Sequence, residues 1–140
     1  SVHPEAGLEV SGDVELLRSA FENVIRNAVR YGVTGSEVLV TAVRRDGIDV
    51  AVRDHGPGVP EKDLKLIFEP FYRVDAARDR AGGGEGLGLA IAARAIAIHG
   101  GNIEARNLPG GGLEVAMRLP VSQRSAKDTK DAATAAAEAA

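Results

Sequence analysis

Phe21-Glu22-Asn23-Val24-Ile25-Arg26-Asn27-Ala28 sets two asparagines four residues apart inside a helical hydrophobic repeat. Asp13 upstream is a good N-cap, and Val14, Leu17, Phe21, Val24, Ile25 and Ala28 follow at helical spacing. The pattern predicts one strong amphipathic helix up to about Tyr31. At about 100° per residue, Asn23, Asn27 and Arg30 share a stripe away from the Leu17/Phe21/Ala28 core stripe, with Tyr31 between the two.

Around this helix the periodicity changes several times. Val38–Arg44 and Ile48–Asp54 read as antiparallel strands joined at Asp46-Gly47, a favoured hairpin dipeptide. Pro60-Glu61-Lys62-Asp63 can open a short helix through Leu66, and Glu69-Pro70 forbids its continuation. Residues 74–84 are polar and end in glycines, which predicts a mobile loop. A second helix is expected from Leu87 to about His99, stopped by Gly100-Gly101. It is apolar nearly all round, which predicts burial against a sheet. Asn102–Arg106 and Leu113–Leu119 then read as strands around Pro109-Gly110-Gly111-Gly112. Hairpin-paired strands with helices on one side predict an α/β two-layer sandwich: a mixed, mostly antiparallel sheet with about three helices on one face.

The bulk properties narrow the function. A chain of 140 residues suits one compact domain. A formal net charge of -3 gives no electrostatic reason to expect nucleic acid or an anionic membrane as a partner. With no cysteine, disulfides, thiolate metal sites and cysteine nucleophiles are excluded. No apolar stretch reaches the roughly 20 residues of a membrane span, and the reading is a cytosolic type of domain. Residues 1–7 are expected as a linker end and 8–121 as the domain. Residues 122–140, rich in alanine and without large apolar side chains, are expected as a disordered tail.

Three elements carry chemistry. An amide oxygen is a neutral, hard ligand suited to Mg²⁺, which retains waters and takes other ligands from phosphates, and Asn27 is the candidate metal ligand. Asn23 and Asn27 taken alone read more readily as solvated surface residues. Asp54 ends the row Ile48, Val50, Val52 that faces the core. A buried carboxylate needs donors, and the exocyclic amine of adenine is a suitable one. Gly56 and Gly58 let the backbone approach a flat ring. The alternative is a turn aspartate satisfied by local amides. The third element is Gly82-Gly83-Gly84-Glu85-Gly86-Leu87-Gly88-Leu89 running into a helix, where free amides and the helix dipole favour phosphate. It is neither a Walker A loop nor a dinucleotide fingerprint. ATP, if bound, is held by a different fold.

With these residues in place, residues 7–120 resemble the catalytic ATP-binding domain of bacterial two-component sensor histidine kinases. These belong to the GHKL group (Bergerat fold) with gyrase, Hsp90 and MutL. Residues 23–31 match the N box, Asp54-His55-Gly56-Pro57-Gly58 the first glycine box and Ile67-Phe68-Glu69-Pro70-Phe71-Tyr72-Arg73 the F box. Gly84–Leu89 matches the second glycine box, and residues 111–120 the closing strand. Phe71-Tyr72-Arg73-Val74-Asp75 with Arg78-Asp79-Arg80 is similar to the CpxA group.

The resemblance implies a protein-histidine kinase using ATP and Mg²⁺. Asn27 would hold the metal, Asn23 would lie near the phosphates, Arg30 would reach phosphate and Tyr31 would lie against adenine. Asp54, Gly56, Gly58 and Val59 would form the adenine pocket, and Arg73 would neutralise the γ-phosphate. The backbone of Gly84 and of Gly86, Leu87, Gly88 and Leu89 would cradle the phosphates, and residues 74–84 would be the ATP lid. Phe68 is either a ligand contact or, with Phe71, a hydrophobic anchor of the loop.

The ATPase branches of the group typically carry a glutamate where this chain has Asn23. Asn23 cannot act as a base, which favours transfer to histidine over hydrolysis. Glu85 departs from the serine or threonine usual there. His3, His55 and His99 are the only histidines, and none sits in a phosphoacceptor setting. The implied partners are therefore ATP or ADP, dimerisation and phosphotransfer helices in a homodimer, and a response regulator. Membrane attachment would come only through other segments of the whole protein, in the bacterial inner membrane. The rival reading is a non-catalytic nucleotide-binding regulatory module.

Overall fold

The computed structural model describes residues 2–4, 12–74 and 86–120. Its spine is α1, Val14–Tyr31. The Asp13 carboxylate accepts from the amides of Glu15 (3.0 Å) and Leu16 (3.1 Å), satisfying two of the helix's orphan donors. Leu17, Ala20, Val24 and Ala28 are buried at spacings of three and four. Phe21 and Ile25 pack partly buried against them. Val14, expected in the core, is exposed because it begins the helix outside the packed face.

Five strands form one sheet: β1 Val2–Pro4, β2 Leu39–Arg44, β3 Gly47–Arg53, β4 Asn102–Asn107 and β5 Leu113–Pro120. Their order is β1-β2-β3-β5-β4, with β1 parallel to β2 and the other pairs antiparallel. The mixed, mostly antiparallel sheet matches the expectation, but the expected linker at residues 1–7 needs correction. Val2–Pro4 is an edge strand, paired in parallel because a helix-containing crossover separates it from β2. The β2–β3 turn is tight, with Asp46 in the left-handed conformation (φ 51°). The proposed tail at 122–140 lies outside the described residues, as does most of the 74–84 loop.

The second helix, α2, spans Gly88–Ile98. Its Leu89, Ala92, Ala95 and Ile96 join the core, with Val52, Val115, Met117 and Leu119 from the central strands. Burying each larger aliphatic side chain contributes roughly 1.5–3 kcal/mol. As expected, α2 is buried against the sheet, with α1 beside it, but on one side only, so Ile91 and Ile98 are exposed. The expected short helix after Pro60 is instead two 3₁₀ turns, Glu61–Asp63 and Leu66–Phe68. Leu64 and Ile67, three residues apart, both pack inward, and three residues per turn is the repeat of that geometry. The described residues thus hold two α-helices, not three.

His99 ties the two helices together. Its Nδ1–H donates to the Ala95 carbonyl (2.7 Å) while Nε2 accepts from the Asp13 amide (3.0 Å). The C-terminal end of α2 therefore meets the N-cap of α1, and the helices run antiparallel.

On the sheet face away from the helices, Arg53, Glu114 and Arg106 stand in one cross-strand row. Glu114 is buried beneath the two guanidiniums, with its Oε1 2.8 Å from Arg106 Nε. The hydrogen bond from Arg106, reinforced by Arg53, holds its carboxyl below the usual glutamate value despite the opposing effect of burial. A depressed folded-state pKa stabilises the fold above the unfolded value, and that stabilisation is lost as pH falls through the folded one. The expected result is that Glu114→Gln costs about 1 kcal/mol at pH 7, allowing for screening at the exposed arginines. The difference should close as the pH falls below the ordinary glutamate value and through the lower folded-state one in urea unfolding, and a constant difference would dissociate the carboxylate from this effect.

Candidate nucleotide site

The stripe of α1 that carries Asn23 and Asn27 is bordered at each end by one glycine box. At one end, the Asn23 amide nitrogen donates to the Ser19 carbonyl (2.8 Å), so Oδ1 is left to the side facing α2. A Cβ on Gly88 would lie 3.1 Å from that oxygen, so the first turn of α2 abuts Asn23 directly. The first intrahelical bond there is Ile91 N–H to the Leu87 carbonyl (2.9 Å), and no side chain caps the helix. The amides of Gly88, Leu89 and Ala90 therefore emerge without helical partners beside Asn23. The Leu89 side chain itself is in the core, so only its backbone can serve a ligand.

At the other end of the stripe, about 12 Å along the axis from Asn23 at 1.5 Å per residue, α1 meets Asp54. A Cβ on Gly56 would lie 2.3 Å from the Tyr31 carbonyl, so only glycine permits that approach. Asp54 is buried, and its Oδ1 accepts from the amides of Gly56 (2.8 Å) and Leu113 (3.2 Å). The local turn role is therefore real and uses one oxygen. Oδ2 takes part in none of the described hydrogen bonds and stays available as an acceptor. Gly58 is left-handed (φ 75°), and Val59 packs partly buried against the core. His55 is exposed.

The F-box segment joins the second glycine box. Phe71 N–H donates to the Gly86 carbonyl (2.9 Å). Phe71 is 71% exposed and left-handed (φ 66°), so it is no hydrophobic anchor, whereas Phe68 does pack against the core. The Tyr72 hydroxyl donates to the buried Asp63 carboxylate. That hydrogen bond, then burial and the carboxylate charge, raise the Tyr72 pKa.

Arg30 and Tyr31, at the Asp54 end of α1, touch one another. Arg30 lies over the Tyr31 ring, 5.8 Å from its centroid. Asn27 is half-buried on the same stripe as Asn23, and Arg73 is half-buried next to Tyr72. Gly84 lies outside the described residues. A cavity of about 240 Å³ is present at the end of α1, lined by Ala28, Val29, residues 32–36 and Val38. It takes in none of Asn23, Asn27, Asp54 or Gly88, although Gly32 separates it from the Asp54 side chain.

Three structural residues escaped the sequence reading: Asp63, His99 and Asn107. The Asn107 side chain grips the Val59 peptide, with Oδ1 accepting from Val59 N–H (2.9 Å) and Nδ2 donating to the Val59 carbonyl (2.6 Å). Its only signal in the sequence is an amide residue placed where β4 runs into a glycine turn.

Known proteins match this arrangement. Residues 12–123 match the family described as histidine kinase-, DNA gyrase B-, and HSP90-like ATPase. The sensor histidine kinase CpxA of Escherichia coli (strain K12) is 51% identical over 114 residues, which is 81% of this chain and 25% of the relative. The sensor histidine kinase component HK1 of Mycobacterium tuberculosis (strain ATCC 25618 / H37Rv) is 42% identical over 137 residues, covering 91% of this chain and 79% of the relative. Full-length ShkA, solved in complex with AMPPNP, superposes with a TM-score of 0.71 at 33% identity over 86% of this chain and 25% of that one. The chain thus spans about a quarter of the first curated relatives it matches. With the family match over residues 12–123 and the shared fold, the chain belongs to the histidine kinase-, DNA gyrase B-, and HSP90-like ATPase family, as an ATP-binding catalytic domain of the sensor histidine kinase type.

Proposed function

We propose that this domain transfers the γ-phosphoryl group of ATP to a histidine on separate dimerisation and phosphotransfer helices, for relay to a response-regulator aspartate. The observation that carries the reading is Asn23. Beside the uncapped amides of α2, α1 presents the Asn23 amide oxygen at the place where the ATPase branches carry a glutamate. An amide cannot take a proton from water, so hydrolysis lacks its base. A neutral imidazole needs none, and phosphoryl transfer rests on positioning and charge neutralisation.

The residues divide the work by position along α1. The Oδ2 of Asp54 accepts from the adenine amine, with Gly56, Gly58 and Val59 shaping the floor and Tyr31 the side. The amides from Gly86 to Leu89, with Gly84 before them, hold the phosphates, while Arg30 and Arg73 reach toward them. Mg²⁺ fits the donors present: Asn27 offers one neutral oxygen, its side chain takes part in none of the described hydrogen bonds, and no acidic cluster among the described residues competes. Mg²⁺ held by a single protein ligand takes the others from phosphate and water, and it supplies charge neutralisation at the phosphates.

The acceptor must come from elsewhere. His99 is committed to the α1 cap and His55 sits in the adenine loop. The name of the relative of similar length, a sensor histidine kinase component, fits a catalytic part acting with a separate one. Attachment of the whole protein to a membrane belongs to segments other than the described helices, none of which is long and apolar enough to cross one.

Mixing the chain with separately purified histidine-bearing helices of a CpxA-type relative and γ-labelled ATP tests the proposal. Acid-labile label on those helices is expected. No label at saturating ATP would leave a nucleotide-sensing module, and free phosphate alone would indicate an ATPase.

A further inference from the structure

Asn107 and Leu113 are cross-strand partners, the last pair of the β4–β5 hairpin before its glycine turn. Each grips one end of the loop that runs from Asp54 to Val59. The Leu113 backbone holds the Asp54 end twice: its amide donates to the side-chain Oδ1 of Asp54, and its carbonyl accepts from Asp54 N–H (3.0 Å). Asn107 closes both hydrogen-bonding groups of the Val59 peptide with one side chain. Gly58 is shaped to this grip, since a Cβ there would stand 2.6 Å from Asn107 Oδ1. The hairpin turn backs the loop as well, because a Cβ on Gly112 would lie 2.1 Å from the Asp54 carbonyl.

We infer that Asn107 is a positioning residue for base selection: by clamping Val59 it sets how far the purine sits from the Asp54 carboxylate. The inference rests on the reading of Asp54 as the adenine acceptor. A loop fixed at both ends holds its ring-contacting backbone at one height above the carboxylate. Released at Val59, it keeps the Asp54 anchor but loses that height. A one-ring-edge hydrogen bond discriminates adenine from guanine only while its distance is held. The phosphate end, on α2 some 12 Å along α1, shares no described hydrogen bond with Asn107.

The test uses the 140-residue chain with Asn107→Ala and the isosteric Asn107→Asp, which keeps an acceptor for Val59 N–H but sets an oxygen against the Val59 carbonyl. Calorimetric titration with ATP, ADP and GTP is expected to show ATP and ADP weakened together by roughly tenfold in both variants. The ATP-over-GTP preference should shrink, with the ATP-to-ADP ratio unchanged. In the wild type, the Val59 amide should exchange with solvent as slowly as the β4–β5 ladder amides. An unaltered ATP-over-GTP preference in either folded variant, or fast exchange at Val59 in the wild type, would overturn the inference. Failure of the wild type to prefer ATP over GTP would instead sink the reading of Asp54.

Discussion

Asn27→Ala is expected to remove the Mg²⁺-dependent part of ATP affinity while leaving the fold intact. The side chain is half-buried and bonds to no described neighbour, and alanine is the better helix former, so thermal stability should hold or rise slightly. Nucleotide binding should behave otherwise. If Asn27 supplies the protein ligand, the cation loses its anchor to α1 and the phosphates lose a charge-neutralising bridge. A drop of roughly 100-fold, about 2.8 kcal/mol, is expected with Mg²⁺ present, and little change with the metal chelated. Calorimetry on wild type and variant, each with and without Mg²⁺, reads the four values. A variant that keeps the Mg²⁺ increment would remove Asn27 from the metal site. Asn23→Ala is the instructive comparison, because the Asn23 amide nitrogen is already bonded to Ser19 while its oxygen faces the entrance of α2.

Asp54→Asn should invert base preference more than it disturbs the protein. On the proposed reading the carboxylate does two jobs with two oxygens. Oδ1 closes the turn by accepting from Gly56 and Leu113, and Oδ2, which takes part in none of the described hydrogen bonds, is the proposed acceptor for the base. An asparagine can keep its carbonyl oxygen on the turn, which directs its NH₂ at the base. A donor there opposes the adenine amine and suits the guanine carbonyl. Loss of a hydrogen bond to a charged acceptor, worth about 1.5–3 kcal/mol, predicts ATP affinity down by about 10- to 100-fold, with GTP less affected. Asp54→Ala should differ in kind, since it strands two amides at a buried position and costs about 1–3 kcal/mol of stability. Titrations with both nucleotides and melting curves for both variants separate the two jobs. An Asp54→Asn protein that still prefers ATP to the wild-type degree would refute the assignment.

Much of the fold was legible because its signals are local. Asp13 announces α1, and the spacing of Leu17, Val24 and Ala28 names its buried face. The alternation from Ile48 to Val52 names a strand and points its next inward residue, Asp54, at the core. Gly100-Gly101 ends α2 where expected. Local readings failed where a neighbour outside the window decided the outcome. Val2–Pro4 has too little pattern of its own and is a strand only because β2 offers an edge. The exposure of Ile91 and Ile98 follows from α2 having α1 and the sheet on one side and no described element on the other. Pro60 and Pro70 bound a segment that the inward packing of Leu64 and Ile67 turns into two 3₁₀ turns.

The chemistry of the site divides the same way. Residue type and spacing along single elements determined which groups are proposed to meet a nucleotide: two amides on one helical stripe, a carboxylate at a strand end and glycines before a helix. Those are properties of a few consecutive residues, fixed by backbone geometry and side-chain inventory. Only the tertiary structure decided what holds those groups in place. Asn107 reaches Val59 across 48 residues, Leu113 reaches Asp54 across 59, and His99 reaches Asp13 across 86. Such contacts depend on sheet register and helix docking, and register is a property of the whole hydrophobic pattern rather than of any one segment.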